Sequence, residues 1–221
     1  MGNKNLIWVA TRTNSNSERI RVMGHRGFVG GDALLWDEIG KLQIDFLKSE
    51  GLLSRHTLVD IACGSLRAGK LFINYLESGN YLGIDKEIDL IIYGIADELG
   101  ISTFTEKRPI FVVSADFEFS KFPRRPDYAI AQSLLTHLTA EDIYRCFKAL
   151  RKSIADDGKC YATFFEVQEP TDNLPNSDAI DCFFYTREQM HTLAEFTGWE
   201  MTYIGDWGHP RQQKMLKLEP K

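Results

Sequence analysis

An acid at the end of an apolar run, followed directly by a turn of small residues, stands in the stretch LVDIACGSLRAGK, residues 58–70. The acid is Asp60, and the turn contains Gly64, whose missing side chain lets the backbone approach a ligand closely. A second acid, Asp85, closes the apolar run NYLGID, about 20 residues beyond the turn. An acid at this position can accept hydrogen bonds from ribose hydroxyls. The two stretches together predict a site for a ligand that contains adenosine.

Polar and aromatic residues also follow three later apolar runs. Asp116 and Phe117 come after the third run, where they could accept a hydrogen bond from an adenine amino group and stack on the ring. Gln132 and His137 follow the fourth run, and Glu166 ends the fifth. Ligands of open α/β sheets bind beyond the carboxyl ends of the strands, so we expect all of these residues at one edge of a sheet.

Short apolar runs that alternate with helical periodicity must position these residues. The runs predict strands over residues 56–62, 80–85, 109–114, 126–133, 160–166, 200–205 and 214–219. Helices are predicted to begin at or near Asp32, Ser65, Ile88, Thr139 and Thr186. Gln189 completes a capping box with Thr186. This alternation predicts an α/β fold with a Rossmann-like, doubly wound and mostly parallel sheet.

The composition favours one globular domain. The chain has 221 residues, of which 43% are hydrophobic. Its net charge of -5 argues against a nucleic-acid partner, since such binders are usually basic. No apolar run reaches the roughly 18 residues of a membrane span, and the N-terminal segment has no signal-peptide core, so we expect a cytoplasmic protein without a membrane partner.

The cysteines are widely spaced and form no CxxC pair, which favours reduced, buried thiols and predicts no metal site.

The N-terminal residues differ in character from the rest of the chain. Residues 1–31 are polar, contain several arginines and show no clear period, so we interpret them as an N-terminal arm or lid. Residues 32–221 carry the alternating pattern and are predicted to form the main domain, beginning with a helix that Asp32 caps.

Two cofactors that contain adenosine fit the pattern up to this point, NAD and S-adenosylmethionine (SAM). A pyrophosphate prefers the sequence GxGxxG at a helix N-terminus. The three glycine positions here hold Ala62, Gly64 and Arg67, so this fingerprint is absent. Negative charge at Asp60 would also repel a pyrophosphate, whereas it suits the ammonium and sulfonium groups of SAM. SAM is therefore favoured, and a nicotinamide-dependent oxidoreductase is kept as an alternative.

The motifs DIACGS, YLGID, SADF and AQSLLTHL resemble, in order and spacing, those of class I SAM-dependent methyltransferases. The resemblance covers residues 55–220 and implies a seven-stranded sheet whose last strand runs antiparallel between its neighbours. It implies that the turn from Asp60 lines the methionine part of SAM, that Asp85 holds the ribose and that Gln132 borders the methyl group. The residues implied to bind the cofactor are Asp60, Ala62, Cys63, Gly64, Ser65, Asp85, Asp116, Phe117 and Gln132. Ala62 and Leu66 stand where the family commonly has glycine, and Leu66 is expected to start the next helix early and pack beneath it.

Methyl transfer is an in-line displacement on a sulfonium carbon with a neutral leaving group, so alignment of donor and acceptor can supply most of the rate. A hydroxyl acceptor also benefits from a general base. His137 is the first candidate for this base, and Glu166 and His209 are the others.

Irregular segments on a rigid sheet usually carry the specific contacts with a substrate. The segments 167–184 and 205–213 break the alternating pattern, and the first is rich in acids and amides, which suit a hydroxylated or cationic small molecule. The sequence therefore predicts methyl transfer from SAM to a small-molecule or carbohydrate acceptor, at a hydroxyl oxygen. A non-catalytic SAM-binding protein is a second alternative. Apolar residues 7–9 are also compatible with a homo-oligomer.

Overall fold

The computed structural model describes residues 15–30 and 34–221. Its helices are α1 (Asn16–Met23), α2 (His25–Gly30), α3 (Leu34–Ser49), α4 (Gly69–Tyr75), α5 (Ile88–Tyr93), α6 (Ile101–Lys107), α7 (Ala140–Ser153) and α8 (Arg187–Phe196). Its strands are β1 (Leu58–Ile61), β2 (Tyr81–Asp85), β3 (Ile110–Val113), β4 (Tyr128–Ala131), β5 (Lys159–Glu166), β6 (Phe184–Tyr185), β7 (Trp199–Asp206) and β8 (Lys214–Pro220). The predicted cap at Asp32 and residues 1–14 of the predicted arm lie outside the described residues.

Seven of the strands form a continuous sheet in the order β3-β2-β1-β4-β5-β8-β7. Strands β1 to β5 are parallel, and Leu58 of β1 lies opposite both Tyr81 of β2 and Tyr128 of β4. Strand β8 runs antiparallel to β5 on one side and to β7 on the other. The strand order reverses between β1 and β4, which is where open α/β sheets form ligand crevices. The predicted doubly wound sheet with one antiparallel strand is confirmed.

Helices cover both faces of this sheet. Val59 and Ile61 of β1 enter an apolar cluster that includes residues of α7 and α8, whereas Leu58 enters a second cluster with residues of α3 and α4. Strands that are buried on both faces read as nearly continuous apolar runs. This two-sided burial is the reason why the central strands can be recognised as apolar runs in the sequence.

The predicted starts of α7 and α8 are also confirmed. The Thr139 side chain accepts a hydrogen bond from Asp142 N at 3.2 Å. At α8, Gln189 N donates to Thr186 Oγ1 at 3.1 Å, and Thr186 N donates to Gln189 Oε1 at 2.8 Å, which completes the capping box. These local hydrogen bonds satisfy backbone amides that the first turn of a helix leaves without partners.

Three features differ from the sequence-based expectations. Helix α4 begins at Gly69 rather than near Ser65, because Leu66 has a φ of 63°, and this left-handed conformation cannot belong to a right-handed helix. Leu66 is fully buried, as expected, but it does not start the helix. The helix predicted to begin at Ile88 is α-helical only as far as the end of α5 and continues as a π-helical turn over Gly94–Leu99. A short strand, β6, begins within the segment 167–184 and pairs in parallel with β5.

Residues 15–30 form α1 and α2, although the sequence shows no clear period there. Arg26 of α2 donates to Glu98 of the π-helical turn, with Nη2 2.9 Å from Oε2, and the Glu98 side chain is only 2% exposed. Lys70 of α4 reaches the same carboxylate at 3.0 Å. This partly buried ion-pair network fastens α2 to the domain, and a lid function for α2 stays a prediction. None of the described helices combines the length and the hydropathy that a membrane crossing requires.

Candidate active site

A cavity of about 440 Å³ lies at the carboxyl edge of the sheet, beside the switch point between β1 and β4. Small-molecule sites commonly have volumes of roughly 300–1,000 Å³. The predicted site residues that line it are Asp60, Ala62, Cys63, Gly64, Asp85, Asp116, Phe117, Gln132 and His137. Ser65, Glu166 and His209 are not among the lining residues. The structure therefore brings most of the residues singled out in the sequence to one place.

Asp60 is a buried carboxyl group, 6% exposed, at the end of β1. The Tyr81 hydroxyl donates a hydrogen bond to its Oδ2 at 2.8 Å. Burial raises the pKa of Asp60 to about 7, and the hydrogen bond from Tyr81 opposes this effect while the charge of Asp85 adds to it. The surrounding protein groups thus do not offset the cost of burying a negative charge on Asp60. A cationic ligand group beside Asp60 would favour its ionised form.

Asp85 ties the end of β2 to the glycine turn. Its Oδ2 accepts a hydrogen bond from Gly64 N at 2.8 Å, and its Oδ1 accepts one from Glu87 N at 2.9 Å. Burial raises the pKa of Asp85, and these two backbone hydrogen bonds oppose the shift. A carboxylate has about four acceptor sites, so each oxygen keeps capacity to accept a hydrogen bond from a ligand hydroxyl.

The turns around the cavity contain non-glycine residues in left-handed conformations. Ala62, Leu66, Phe117 and Ser133 have φ values of 58°, 63°, 54° and 59°. Each such residue costs on the order of 1 kcal/mol or more and persists only where the surroundings impose it. Ala62 and Leu66 occupy two positions where the resemblance expects glycine, and both take a conformation that glycine adopts at the least cost.

Asp116 and Phe117 lie together at the end of the cavity that follows β3. The Asp116 carboxylate is mostly exposed and accepts a hydrogen bond from Arg145 Nη2 at 2.7 Å, while Arg145 Nη1 donates to Asp142 at 2.9 Å. The half-buried ring of Phe117 stacks on Phe119, with centroids 6.5 Å apart. This end offers an aromatic face next to a hydrogen-bond acceptor, which suits a planar nitrogenous ring.

Gln132 follows β4 and is held by a polar network. Its Oε1 accepts a hydrogen bond from Arg67 Nη2 at 2.6 Å, and its Nε2 donates to Ser133 Oγ at 2.6 Å. Gln213, in the segment before β8, donates from Nε2 to the same Ser133 hydroxyl at 2.8 Å. The loop 205–213 therefore supports the wall of the cavity from behind.

His209 belongs to this supporting layer rather than to the cavity wall. The ring is 4% exposed, stacks on Trp207 with centroids 5.4 Å apart, and places Nε2 3.1 Å from Gln132 Nε2. Burial lowers its pKa to about 4, and the cations of Arg67 and Arg211 add to the effect. A neutral imidazole in this position can orient Gln132, and we assign it no direct role as a base.

Glu166, at the end of β5, forms an ion pair with Arg187. Arg187 Nε donates to its Oε1 at 3.2 Å, and the Tyr203 hydroxyl donates to its Oε2 at 2.5 Å. The Arg187 guanidinium also lies over the Tyr203 ring, 3.5 Å from its centroid. Because these contacts hold the carboxylate outside the cavity lining, we assign Glu166 no catalytic role.

His137 does line the cavity. Its Nδ1 lies 3.1 Å from the carbonyl oxygen of Asp181. A carbonyl oxygen only accepts hydrogen bonds, so Nδ1 carries the proton and Nε2 is left as the basic nitrogen. Burial lowers the pKa of His137, and hydrogen bonds to the backbone of Asp181 and Asp178 oppose the shift. The ring is therefore neutral at pH 7 and able to accept a proton.

The segment 167–184 contributes to the cavity beside His137. Asp178 N donates to the His137 carbonyl at 3.0 Å, and Thr139 N donates to Ser177 Oγ at 2.9 Å, so this segment is anchored to the turn before α7. Ser177, Asp178 and Ala179 line the cavity. The other acids and amides of this segment do not line it.

Helix α2 supplies a further part of the wall through Phe28 and Val29. A side chain at Gly64 would place its Cβ 3.2 Å from Val29 Cγ2, and Gly64 has a φ of 54°. Both its conformation and its close contact with α2 therefore favour glycine at position 64.

Arg67 is a lining residue to which the sequence assigned no role. Its side chain is 7% exposed, and burial, with the nearby charge of Arg211, lowers its pKa to about 10, so it remains cationic at pH 7. Gly40 of α3 allows the close packing, since a Cβ there would lie 2.7 Å from the Arg67 carbonyl oxygen. The sequence did contain one signal for Arg67: it is a cation at the position where the dinucleotide fingerprint GxGxxG would have its third glycine.

The cysteines offer no cluster for a metal ion. Cys63, Cys146 and Cys160 are buried, as predicted, whereas Cys182 is exposed. Within residues 15–30 and 34–221, no group of three or more His, Cys, Asp or Glu side chains is arranged to hold a metal ion.

The fold matches solved structures, two of which are methyltransferases by name. Magnesium protoporphyrin IX methyltransferase (ChlM) from Synechocystis PCC 6803, with bound SAM, has a TM-score of 0.64 and 13% identity over 96% of this chain and 95% of that chain. The PH0226 protein from Pyrococcus horikoshii OT3 has a TM-score of 0.66 and 18% identity, over 92% of this chain and 99% of that chain. The glycopeptide N-methyltransferase MtfA has a TM-score of 0.63 and 11% identity, over 82% of this chain and 90% of that chain.

No family model and no curated protein matches the sequence. At such low sequence identity, the likeness to solved structures concerns the fold. The strand order, the antiparallel β8 and the cavity at the β1/β4 switch point all agree with it. The chain therefore has the class I methyltransferase fold that the sequence motifs predicted.

Proposed function

We propose that the chain is a SAM-dependent methyltransferase that methylates a hydroxyl oxygen of a small-molecule or carbohydrate acceptor. The observation that carries this proposal is the presence of two buried carboxyl groups, Asp60 and Asp85, in one cavity at the switch point of this fold. Asp60 would face the cationic amino-acid end of SAM, and Asp85 would accept hydrogen bonds from the ribose. Asp116 and Phe117 would flank the adenine.

The composition of the remaining wall supports a small acceptor with hydroxyl groups. His137, Ser177 and Asp178 provide polar atoms, and Phe28 and Val29 provide an apolar surface on the side of α2. Sites of this kind bind small molecules through apolar burial and use a few polar groups to orient them. The names of ChlM and MtfA indicate a porphyrin and a glycopeptide as their acceptors, so this fold serves chemically different acceptors.

The chemistry requires an acceptor oxygen in line with the bond between the sulfur and the methyl carbon. The new C–O bond forms as the C–S bond breaks, which leaves neutral S-adenosylhomocysteine (SAH). We assign to His137 Nε2 the removal of the acceptor proton, because its neutral ring lines the cavity and its Nδ1 is fixed by the Asp181 carbonyl. The rest of the rate would come from holding the two reactants in alignment.

Calorimetric titration with SAH tests the cofactor assignment. We expect the wild-type protein to bind SAH and not NADH, and we expect the double substitution Asp60→Asn with Asp85→Asn to abolish SAH binding. Asp172→Asn serves as the control, because Asp172 is exposed and is not among the residues that line the cavity. Binding of NADH without SAH would favour an oxidoreductase instead, and unchanged SAH affinity in the double variant would refute the proposed roles of the carboxylates.

Transfer of a labelled methyl group to a panel of hydroxylated small molecules and sugars tests the catalytic assignment. His137→Gln should lower kcat on an active acceptor by about 100-fold or more, which is the usual contribution of a general base, and should leave SAH affinity unchanged. His191→Gln is the matched control because His191 is exposed on α8. SAH binding without turnover on any acceptor would favour a non-catalytic SAM-binding protein.

A further inference from the structure

A chain of hydrogen bonds between side chains connects the loop after β3 with the segment 167–184. It runs from Asp116 through Arg145 and Asp142 to Ser177, and all four residues line the cavity. Arg145 Nη2 donates to Asp116 Oδ1 at 2.7 Å, and Arg145 Nη1 donates to Asp142 Oδ1 at 2.9 Å. One guanidinium group thus joins the loop after β3 to the first turn of α7.

The second oxygen of Asp142 continues the chain of hydrogen bonds into the segment 167–184. Asp142 Oδ2 accepts a hydrogen bond from Ser177 Oγ at 2.5 Å, and Ser177 Oγ accepts one from Thr139 N at 2.9 Å. The hydroxyl group of Ser177 therefore holds this segment on the start of α7.

The residues that follow Ser177 hold His137. Asp178 N donates to the His137 carbonyl oxygen at 3.0 Å, and the Asp181 carbonyl oxygen lies 3.1 Å from His137 Nδ1. The Asp178 carboxylate accepts hydrogen bonds from Ile180 N at 2.7 Å and from Asp181 N at 2.9 Å. The stretch 178–181 is thus tied together internally, and it contacts both the backbone and the ring of His137.

The ion pair between Arg145 and Asp116 is weak by itself, because the two side chains are 47% and 71% exposed and water screens their charges. A carboxylate has about four acceptor sites, so Asp116 can hold Arg145 and still accept a hydrogen bond from a ligand amino group. A ring that stacks on Phe117 beside Asp116 would cover the ion pair and strengthen it by displacing water. Arg145 would then be fixed, and a second ligand would pay less to order the groups that Arg145 holds.

We propose that Arg145 is a positioning residue that couples occupation of the adenine end of the cavity to the placement of His137, so that the acceptor binds more tightly once the cofactor is bound. This inference rests on the proposed function, since it requires the adenine to lie against Asp116 and Phe117. Couplings between two sites usually amount to about 5- to 150-fold in affinity, and an exposed ion pair puts the coupling through Arg145 near the lower end. By thermodynamic linkage, the acceptor strengthens cofactor binding by the same factor.

Amide hydrogen exchange of the wild-type protein, with and without saturating SAH, provides the first test. The reporters are the amides of Asp178, Ile180 and Asp181, whose hydrogen bonds belong to the stretch that holds His137. We expect SAH to slow their exchange by about fivefold. Binding of SAH without slower exchange of these amides would overturn the inference. Failure of the wild-type protein to bind SAH would instead overturn the proposed function.

The variant Arg145→Met tests whether the effect passes through the guanidinium. It should bind SAH within about threefold of the wild-type affinity, because an exposed ion pair contributes little, but SAH should no longer slow the exchange of the three amides. Slower exchange in both proteins would show that SAH contacts the stretch 178–181 directly, and loss of SAH binding would make Arg145 a cofactor-binding residue; either result overturns the inference. Lys152→Met removes an exposed cation from the same helix, and this control should behave like the wild type.

The variant Ser177→Ala tests the other end of the chain of hydrogen bonds. It leaves Arg145 in place and removes the hydroxyl group that contacts Asp142 and Thr139, so SAH should bind but should not slow the exchange of the three amides. Unchanged slowing would contradict the proposed route, and this variant decides the question if Arg145→Met does not fold.

Steady-state kinetics with an active acceptor separates coupling from a purely structural role. Arg145→Met should raise the KM of the acceptor by about fivefold and leave kcat at saturating concentrations within about twofold of the wild type. A fall in kcat with an unchanged KM of the acceptor would refute the coupling.

Discussion

Replacement of Asp60 by asparagine should stabilise the folded protein while it removes a group needed for ligand binding. Asparagine has nearly the same shape, and its carbonyl oxygen can still accept the hydrogen bond that Tyr81 donates at 2.8 Å. The substitution removes the ionisable proton and the charge, and it replaces one carboxyl oxygen by an NH2 group. Because Asp60 is buried and its pKa is raised, its ionisation disfavours the folded state.

The magnitude follows from the difference between the folded and unfolded pKa values. The pKa of Asp60 rises from 3.8 to about 7, and one pKa unit corresponds to about 1.4 kcal/mol. The stabilising contribution of the neutral carboxyl group is complete below about pH 4 and is lost as the pH rises through about 7. The loss amounts to about 4 kcal/mol over the whole range and to about 3 kcal/mol between pH 5 and pH 8.

Urea unfolding of the wild-type and Asp60→Asn proteins at pH 5, 6, 7 and 8 measures this effect directly. The free energy of unfolding of the variant should exceed that of the wild type by an amount that grows by about 3 kcal/mol from pH 5 to pH 8. Asp172→Asn, at an exposed position, should show no such growth. A pH-independent difference for Asp60→Asn would mean that the carboxyl group titrates normally, and the reasoning about an uncompensated buried charge would fail.

Two further substitutions test the surroundings of this carboxyl group and of the glycine turn. Tyr81→Phe removes the hydroxyl that stabilises the Asp60 carboxylate, so SAH binding measured by calorimetry should weaken and its pH midpoint should move upward from about 7; an unchanged midpoint would contradict the coupling. Gly94→Ala places a Cβ 2.8 Å from the backbone of Ser65, so thermal unfolding should show destabilisation of about 1–3 kcal/mol together with weaker SAH binding. Gly27→Ala, whose Cβ meets nothing closer than 3.5 Å, is the control, and equal stability of the two alanine variants would refute the packing argument.

The order of the strands and the motifs that follow them could be predicted from local patterns. The central strands are apolar throughout because both faces of the sheet are covered, and Thr139 and Thr186 begin helices through hydrogen bonds to residues three positions away. Asp60 and Asp85 follow neighbouring parallel strands, so topology alone brings them to one edge. These features depend on short-range sequence and on the geometry of parallel sheets.

Other features depend on contacts between residues that are distant in the sequence. Leu66 is a good helix former, yet it is fully buried in a left-handed conformation, and the helix begins only at Gly69. Glu166 and His209 resemble catalytic residues in the sequence, but Arg187 holds the first outside the cavity and burial behind Gln132 removes the second from it.

The sequence by itself determined the sheet, the acids at its edge and the absence of a dinucleotide fingerprint, because each of these is written in a run of adjacent residues. Only the tertiary structure decided which polar side chains face the cavity and which are bound to other protein groups outside it. Arg67 shows the difference most clearly: its hydrogen bond to Gln132 and its buried Nε without a hydrogen-bond partner are properties of the packed environment within the described residues. Charge compensation depends on distances across the fold, and no local pattern of residue types records them.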